Sequence, residues 1–163
     1  MMDIAERSRR IKLLILDVDG VLTDGGLYYG PSGEEIKVFH VRDGYGLKRW
    51  HDAGGRSAII SGRKSSIVET RARELGITFV YQDRDDKIAA FTALLGEAGL
   101  ASEECCFVGD DSLDVPVLQQ VGLAVAVADA HADAQAAAHH VTKLNGGRGA
   151  VREVTDLLLQ RKG

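Results

Sequence analysis

Cysteine is nearly absent from this chain, and the two that occur, Cys105 and Cys106, are neighbours. Adjacent strand residues point to opposite faces, so the pair is poorly placed to bridge itself. No zinc-type spacing exists either, and both thiols read as small buried strand residues. Long apolar runs are missing: none approaches the ~20 residues that a spanning helix requires. The opening "MMDIAERSRRIK" has charges but no following apolar segment with a small-residue cleavage site. The chain is therefore expected to stay in the cytoplasm. Charge of one sign is missing too. The formal net charge is -4, without a long like-charged run, which argues against nucleic acid and against a membrane surface as partners. No linker, low-complexity tract or internal repeat breaks the 163 residues, a length that fits one domain, 1–163, with a good core.

What is present is alternation. Short apolar runs recur at Ile11–Leu16, Ser57–Ile60, Ile77–Tyr81, Cys105–Val108 and Leu123–Val127. Between them lie helical spacings: Val68, Ala72 and Leu75, then Ile88, Phe91, Leu95 and Ala98, and finally Val151, Val154 and Leu158. Gly76 and Gly99 fall where left-handed helix C-terminal residues are expected. Strands alternating with helices read as βα units on a parallel sheet covered on both faces. Right-handed crossovers then favour an α/β fold with an open, doubly wound sheet. One segment departs from this. "LYY" and "IKVFHV" flank Gly30-Pro31-Ser32-Gly33, a turn signal, so a β-hairpin of about 26–41 is expected between the first strand and a first helix near "RDGYGLKRW". It would project over the carboxyl ends of the strands, where open α/β sheets bind ligands.

Carboxylates gather at those same ends. "LLILDVDG" ends its apolar run in Asp17 and Asp19, and "CCFVGDD" ends in Asp110 and Asp111, with Asp114 one turn later. "IISGR" places Ser61 and Gly62 after the second strand, and Lys87 lies near the start of a helix beginning around Asp85. Taken singly, such an Asp is a helix cap or turn former, Ser61 is equally a cap or a ligand contact, and Lys87 is a solvated surface residue. Jointly, several acids at one edge repel one another unless a cation offsets them. Mg²⁺ with a phosphate is the simplest partner, because it takes oxygen ligands, commonly one or two carboxylates plus waters and phosphate.

The chemistry follows by position. Asp17, held rigidly at a strand end, suits a nucleophile attacking phosphorus in line. Asp19, two residues on, shares its side of an extended chain and can protonate the leaving alcohol, then activate water. Phosphoryl transfer mainly needs charge neutralisation. Mg²⁺, Lys87, the Ser61 hydroxyl and nearby backbone N–H groups, Gly62 among them, supply it.

"DVDGVLTDG", "ISGR", the lysine of "DDK" and "GDDSLD" resemble, in order, the four motifs of the haloacid dehalogenase superfamily of aspartate-nucleophile phosphatases. "VRDGYGLK", "SGRKS", "DKIAAF", "GDDSLDVPVL", "VGLAVAVADAH" and "GGRGAVREV" extend the likeness to the 3-deoxy-D-manno-octulosonate 8-phosphate phosphatase family over nearly the whole chain. The resemblance implies a Rossmann-like core without a cap domain. It implies Asp17 as nucleophile, Asp19 as general acid/base, and Mg²⁺ on the Asp17 carboxylate, the Asp19 backbone carbonyl and Asp110, with Asp111 or Asp114 in support. It also implies Ser61 and Lys87 on the phosphoryl group, and Arg63 and Lys64 on the sugar acid. A homotetramer with hairpins associating centrally is implied as well, in lipopolysaccharide precursor synthesis. Where the family often has tryptophan before the proline after "GDD", this chain has Val115. The chain ends at Gly163, so any substrate-covering tail is expected to be short or missing.

An open sheet edge offers few surfaces for selecting a long sugar acid. The apolar ribbon is therefore expected to pair with copies of itself, bringing a neighbour's surface with Arg148 over each site. Three rivals stand beside this reading. A phosphatase for a nine-carbon sugar acid 9-phosphate keeps the chemistry and changes the substrate. A phospho-acceptor signalling domain also places acids and a lysine at strand ends, but a general base at Asp19 would shorten the life of its phospho-aspartate. A non-catalytic homologue would be expected to have lost Asp17, Asp19, Lys87 or Asp110.

Overall fold

The computed structural model describes residues 1–33 and 35–160. A short helix, α1 (Ile4–Arg10), precedes the first strand, β1 (Leu13–Leu16), whose four residues are all fully buried. The hairpin follows as β2 (Tyr28–Tyr29) and β3 (Glu35–Ile36), paired antiparallel with Tyr28 opposite Ile36. Next come α2 (Val41–Asp52), β4 (Arg56–Ile60), α3 (Ser66–Leu75), β5 (Phe79–Tyr81), α4 (Lys87–Ala98) and β6 (Cys105–Gly109). The chain closes with α5 (Val115–Leu118), β7 (Leu123–Ala126), α6 (Ala132–Ala137), β8 (His140–Val141) and α7 (Ala150–Gln160). The main sheet has the order β5-β4-β1-β6-β7-β8, and every pairing in it is parallel. This is the expected doubly wound sheet with a hairpin inserted after its first strand; among the described residues no cap domain is present.

Sequence accounts for most of these elements locally. Gly76 (φ 71°) and Gly99 (φ 68°) end α3 and α4 in the left-handed region, where a side chain would be strained. Ser65 caps α3, its hydroxyl accepting from Ile67 N at 3.2 Å, and Asp86 caps α4 in the same way through Ala89 N at 3.0 Å. Val68, Ala72, Phe91, Ala98, Val151, Val154 and Leu158 are buried, as their spacing requires. Cys105 and Cys106 lie buried in β6, and burial pushes the Cys105 thiol up to about 12, so both are packing residues and inert.

Four elements differ from expectation. The helix near "RDGYGLKRW" is the second, not the first, because α1 precedes β1; it is held by its Asp3 cap, which accepts from Glu6 N at 2.7 Å, and has no apolar stripe to announce it. The segments α5, α6 and β8 span four, six and two residues, too short for periodicity to register. The strands are also trimmed: Ile11 is buried but lies outside β1, and Val127 lies outside β7.

The core is a single cluster in which β1 is covered on both faces and Trp50, Phe91 and Phe107 are fully buried. Replacing Leu14 with Ala should cost about 2–5 kcal/mol, the range for an aliphatic side chain removed where neighbours cannot collapse. Urea unfolding checks this, and a loss below about 1 kcal/mol would mean that the sheet repacks around β1.

Candidate active site

Strand register brings the site together. Leu16 pairs with Ile59 on one side and Val108 on the other, so Asp17 stands level with Ile60 and Gly109, and Ser61 and Asp110 follow one residue beyond. The ladder is carried one step further by Asp17 N donating to Val108 O at 3.2 Å. The result is a cleft of about 290 Å³ lined by Asp17, Asp19, Ser61, Gly62, Lys87 and Asp110, with Arg63, Asp111, Gly25 and Leu113 at its margins. A larger groove of about 610 Å³ runs between α2 and α3, away from the carboxylates.

Lys87 is the centre of the cluster. Its side chain is 6% exposed, and its ammonium lies 2.6 Å from Asp114 Oδ1 and 3.2 Å from Asp17 Oδ1. The other oxygen of Asp114 accepts from Asp110 N at 2.9 Å and Asp111 N at 3.2 Å. Burial opposes the lysine's charge, but Asp17 and Asp114 outweigh it and hold the ammonium above its ordinary value.

One carboxylate oxygen each from Asp17, Asp110 and Asp114 lies within 4.8 Å of the others. Asp114 has both oxygens committed within the protein, so Asp17 and Asp110 are left to face a ligand. Two carboxylates with spare lone pairs beside an open cleft fit a hard divalent cation such as Mg²⁺. Without one, burial pushes both carboxyls up; at Asp17 the Lys87 ammonium opposes it and the Asp114 charge adds to it, and at Asp110 the Asp17 charge adds to it, taking Asp110 to about 9.

The loop after β1 turns at once. Gly20 has φ 88°, and a Cβ there would fall inside the Asp110 carboxylate, so only glycine serves. The chain bends at Val18 and turns at Asp19 and Gly20, so Asp19 does not continue an extended strand beside Asp17, as expected from its spacing. It reaches the same cleft from the turn, and its carboxylate meets Lys37 Nζ at 2.6 Å and Arg63 Nε at 3.7 Å. The loop is braced from below by "GGRG": Gly147 N donates to Val21 O at 2.9 Å, and neither Gly146 nor Gly147 has room for a Cβ against it.

Ser61 is no helix cap, since Ser65 has that position. Its N–H donates to Tyr81 O at 2.9 Å, while the Ser61 hydroxyl and the Gly62 N–H have no protein acceptor among the described residues. A cleft wall with an unused hydroxyl, an unused N–H and an ammonium suits a phosphoryl group.

Other expected site residues fall elsewhere. Lys64 lines a separate groove with Glu69, Gln82 and Arg84, because the chain turns away after Arg63. Arg148 is largely exposed, 3.7 Å from Asp24, and does not line this chain's cleft. Val115 is not in the cleft wall; Leu113 is. Asp114's grip on Lys87 and the contact of Lys37 with Asp19 were not foreseen, although a lysine alternating with Ile36 and Val38 was a usable signal.

Residues 76–154 match the haloacid dehalogenase-like hydrolase family. The chain is 52% identical over 161 residues to 3-deoxy-D-manno-octulosonate 8-phosphate phosphatase KdsC of Escherichia coli K12, covering 99% of this chain and 86% of that protein. It belongs to that phosphatase family. The crystal structure of the family's phosphatase from Yersinia pestis matches with TM-score 0.96 at 49% identity, over 98% of this chain and 86% of that one. The Moraxella catarrhalis phosphatase, solved with magnesium, phosphate and KDO, matches with TM-score 0.96 at 38% identity, over 98% and 91%.

Burial and then crowding set a pH-dependent cost. With its folded-state value raised, Asp110 keeps a proton that the unfolded chain has already lost, so the metal-free protein loses stability as pH rises from the ordinary carboxylate range towards about 9. Asp110→Asn should therefore raise the metal-free melting temperature at pH 8, by about 2–4 °C per kcal/mol of repulsion removed, and abolish the further rise on adding Mg²⁺. Lys87→Met should do the opposite, leaving Asp114 unpaired at a cost of about 3–5 kcal/mol. Calorimetry of both checks this; a destabilised Asp110→Asn would show that the acids do not repel.

Proposed function

We propose that this chain is an Mg²⁺-dependent phosphatase that hydrolyses 3-deoxy-D-manno-octulosonate 8-phosphate to the free sugar acid and inorganic phosphate. The observation that carries this is the family match along 99% of the chain, together with the cleft in which Asp17, Asp110, Ser61 and Lys87 converge. The relatives named above carry the eight-carbon sugar acid in their names, which favours it over a nine-carbon substrate.

In this reading Asp17 attacks phosphorus, forming an aspartyl phosphate as the bond to the sugar oxygen breaks. Asp19 gives that oxygen a proton, then takes one from the water that releases phosphate from Asp17. The Ser61 hydroxyl, the Gly62 N–H and Lys87 hold the phosphoryl oxygens, and Arg63 at the cleft margin meets the sugar acid. Mg²⁺ held by Asp17, Asp110 and the Asp19 backbone carbonyl supplies the positive charge that lets an anionic carboxylate approach an anionic phosphate. Asp114 fixes Lys87 and the loop carrying Asp110, and Asp111 caps the following turn, accepting from Ser112 N at 2.7 Å.

The reading extends to a single-domain cytoplasmic enzyme of lipopolysaccharide precursor synthesis, assembled as a homotetramer. Leu27, Tyr28, Tyr29, Ile36 and Val38 are each 43–59% exposed on the hairpin, more apolar surface than a solvated ribbon needs. Lys64 and Arg148 do not line their own chain's cleft, which suits contacts made across such an assembly. No described helix is long and apolar enough to cross a membrane.

Phosphate release from the eight-carbon substrate should require Mg²⁺, vanish with a chelator, and exceed release from a nine-carbon sugar acid 9-phosphate. Asp17→Asn should lower it by at least about a thousandfold. Full turnover after chelation, or in Asp17→Asn, would reject the mechanism; equal turnover of both sugar acids would reject the substrate. Replacing Tyr28, Ile36 and Val38 with Ser should give smaller species by light scattering, with weakened preference for the sugar acid and retained cleavage of a small aryl phosphate. A variant that stayed tetrameric, or became monomeric with preference intact, would uncouple hairpin from selectivity.

A further inference from the structure

The hairpin turns its apolar residues out and a cation in. Ile36 and Val38 are 50% and 54% exposed, while the Lys37 side chain between them is 3% exposed. Removing an ammonium from water costs several kcal/mol unless partners repay it. Here burial opposes the charge, but Asp19 and Glu35 outweigh it and hold Lys37 above its ordinary value. Its two bonds are unequal. Glu35, two residues away on the same ribbon, is 3.1 Å distant, whereas Asp19, eighteen residues back, is 2.6 Å distant.

A lysine serving only to hold the ribbon together would be satisfied by Glu35 alone. The closer contact goes to the acid–base residue. Arg63 completes the clamp, with Nε 3.7 Å from the other oxygen of Asp19 and its terminal nitrogen 3.3 Å from Glu35 and 3.2 Å from the Tyr29 hydroxyl. Asp19 lines the cleft and Lys37 does not, so any effect of Lys37 on the reaction passes through Asp19.

We propose that Lys37 is the positioning residue for Asp19, so that the seating of the hairpin aims the group that protonates the leaving oxygen. The inference rests on the phosphatase reading and deepens it. It explains why a ribbon outside the sheet carries a buried charge, and it ties the ribbon to bond cleavage by one side-chain contact.

Leaving-group dependence tests it. An alkyl phosphate expels an alkoxide and needs the proton; p-nitrophenyl phosphate expels a stable phenolate and needs it little. For the full chain with Mg²⁺, Lys37→Met should lower kcat/KM on a hexose 6-phosphate by about thirtyfold or more, a large part of the ~10²–10⁴ that a general acid supplies. The loss should be at least tenfold greater than on p-nitrophenyl phosphate, and Lys37→Arg should recover most of it. Should Lys37→Met not fold, Lys37→Gln is read in the same way. Equal losses on both esters, no loss on either, or no recovery with Arg would overturn the proposal. A wild-type chain inactive on every ester would instead defeat the phosphatase reading, so the two failures are distinct.

Discussion

The ammonium of Lys87 is the contact on which this site depends. Three carboxylates gathered within 4.8 Å cannot be tolerated in a buried setting without a positive charge among them. Lys87 supplies it from the first residue of α4, reaching Asp17 and Asp114 at once. Asp114, half neutralised by that bond, can spend its second oxygen on the N–H groups of Asp110 and Asp111. That folds the loop after β6 back on itself and leaves the Asp110 carboxylate facing Asp17. One ion pair thus closes a loop, fixes a carboxylate and sets the spacing of the other two. The remaining repulsion of Asp110 by Asp17 is a destabilisation that a cation held between them would remove.

The sheet decides where this happens. Its order runs β5-β4-β1-β6-β7-β8, so the winding reverses at β1. The chain leaving β1 and the chain leaving β6 therefore part on either side of a crevice, which is where ligands enter open α/β sheets. An all-buried β1 is needed for that geometry: flanked by parallel neighbours and covered on both faces, it fixes Asp17 more firmly than a loop could. The apolar strand and the anions at its mouth belong to one device, since the strand provides the rigidity and the anions the chemistry.

What could be read from sequence was what is local. Apolar runs located five of the six strands of the main sheet, glycines at φ 71° and 68° marked two helix ends, and acids at strand ends foretold a common edge because parallel strands finish together. Direction after a strand ends was not legible. Asp19 was expected along an extended chain, yet the backbone bends at Val18 on leaving β1, and Asp19 meets Lys37 and Arg63. Lys64 and Arg63 are adjacent in sequence and line different grooves. Asp114 looked like one more acid of the motif, and only its two-sided bonding distinguishes it from the pair left to face a ligand. The elements α5, α6 and β8 are held by neighbours rather than by their own pattern, so no periodicity announced them.

The cleft's own walls set a limit on what this chain can select. The cleft of about 290 Å³ is lined mainly by polar and charged side chains, Asp17, Asp19, Ser61, Lys87 and Asp110 among them. Among the described residues, Arg63 and the exposed Leu113 are the other long side chains of that lining. Binding energy from the non-reacting part of a substrate is what positions the reacting part, and an eight-carbon acid has most of its polar groups in that part. In the proposed assembly, discrimination between sugar acids draws on surface outside this chain's cleft. The hairpin is the element placed to bring it. Its exposed face is apolar enough to seek another surface, and its buried Lys37 reports to Asp19. In the proposed assembly, the surface that completes the pocket and the arm that aims the proton donor are two faces of one ribbon.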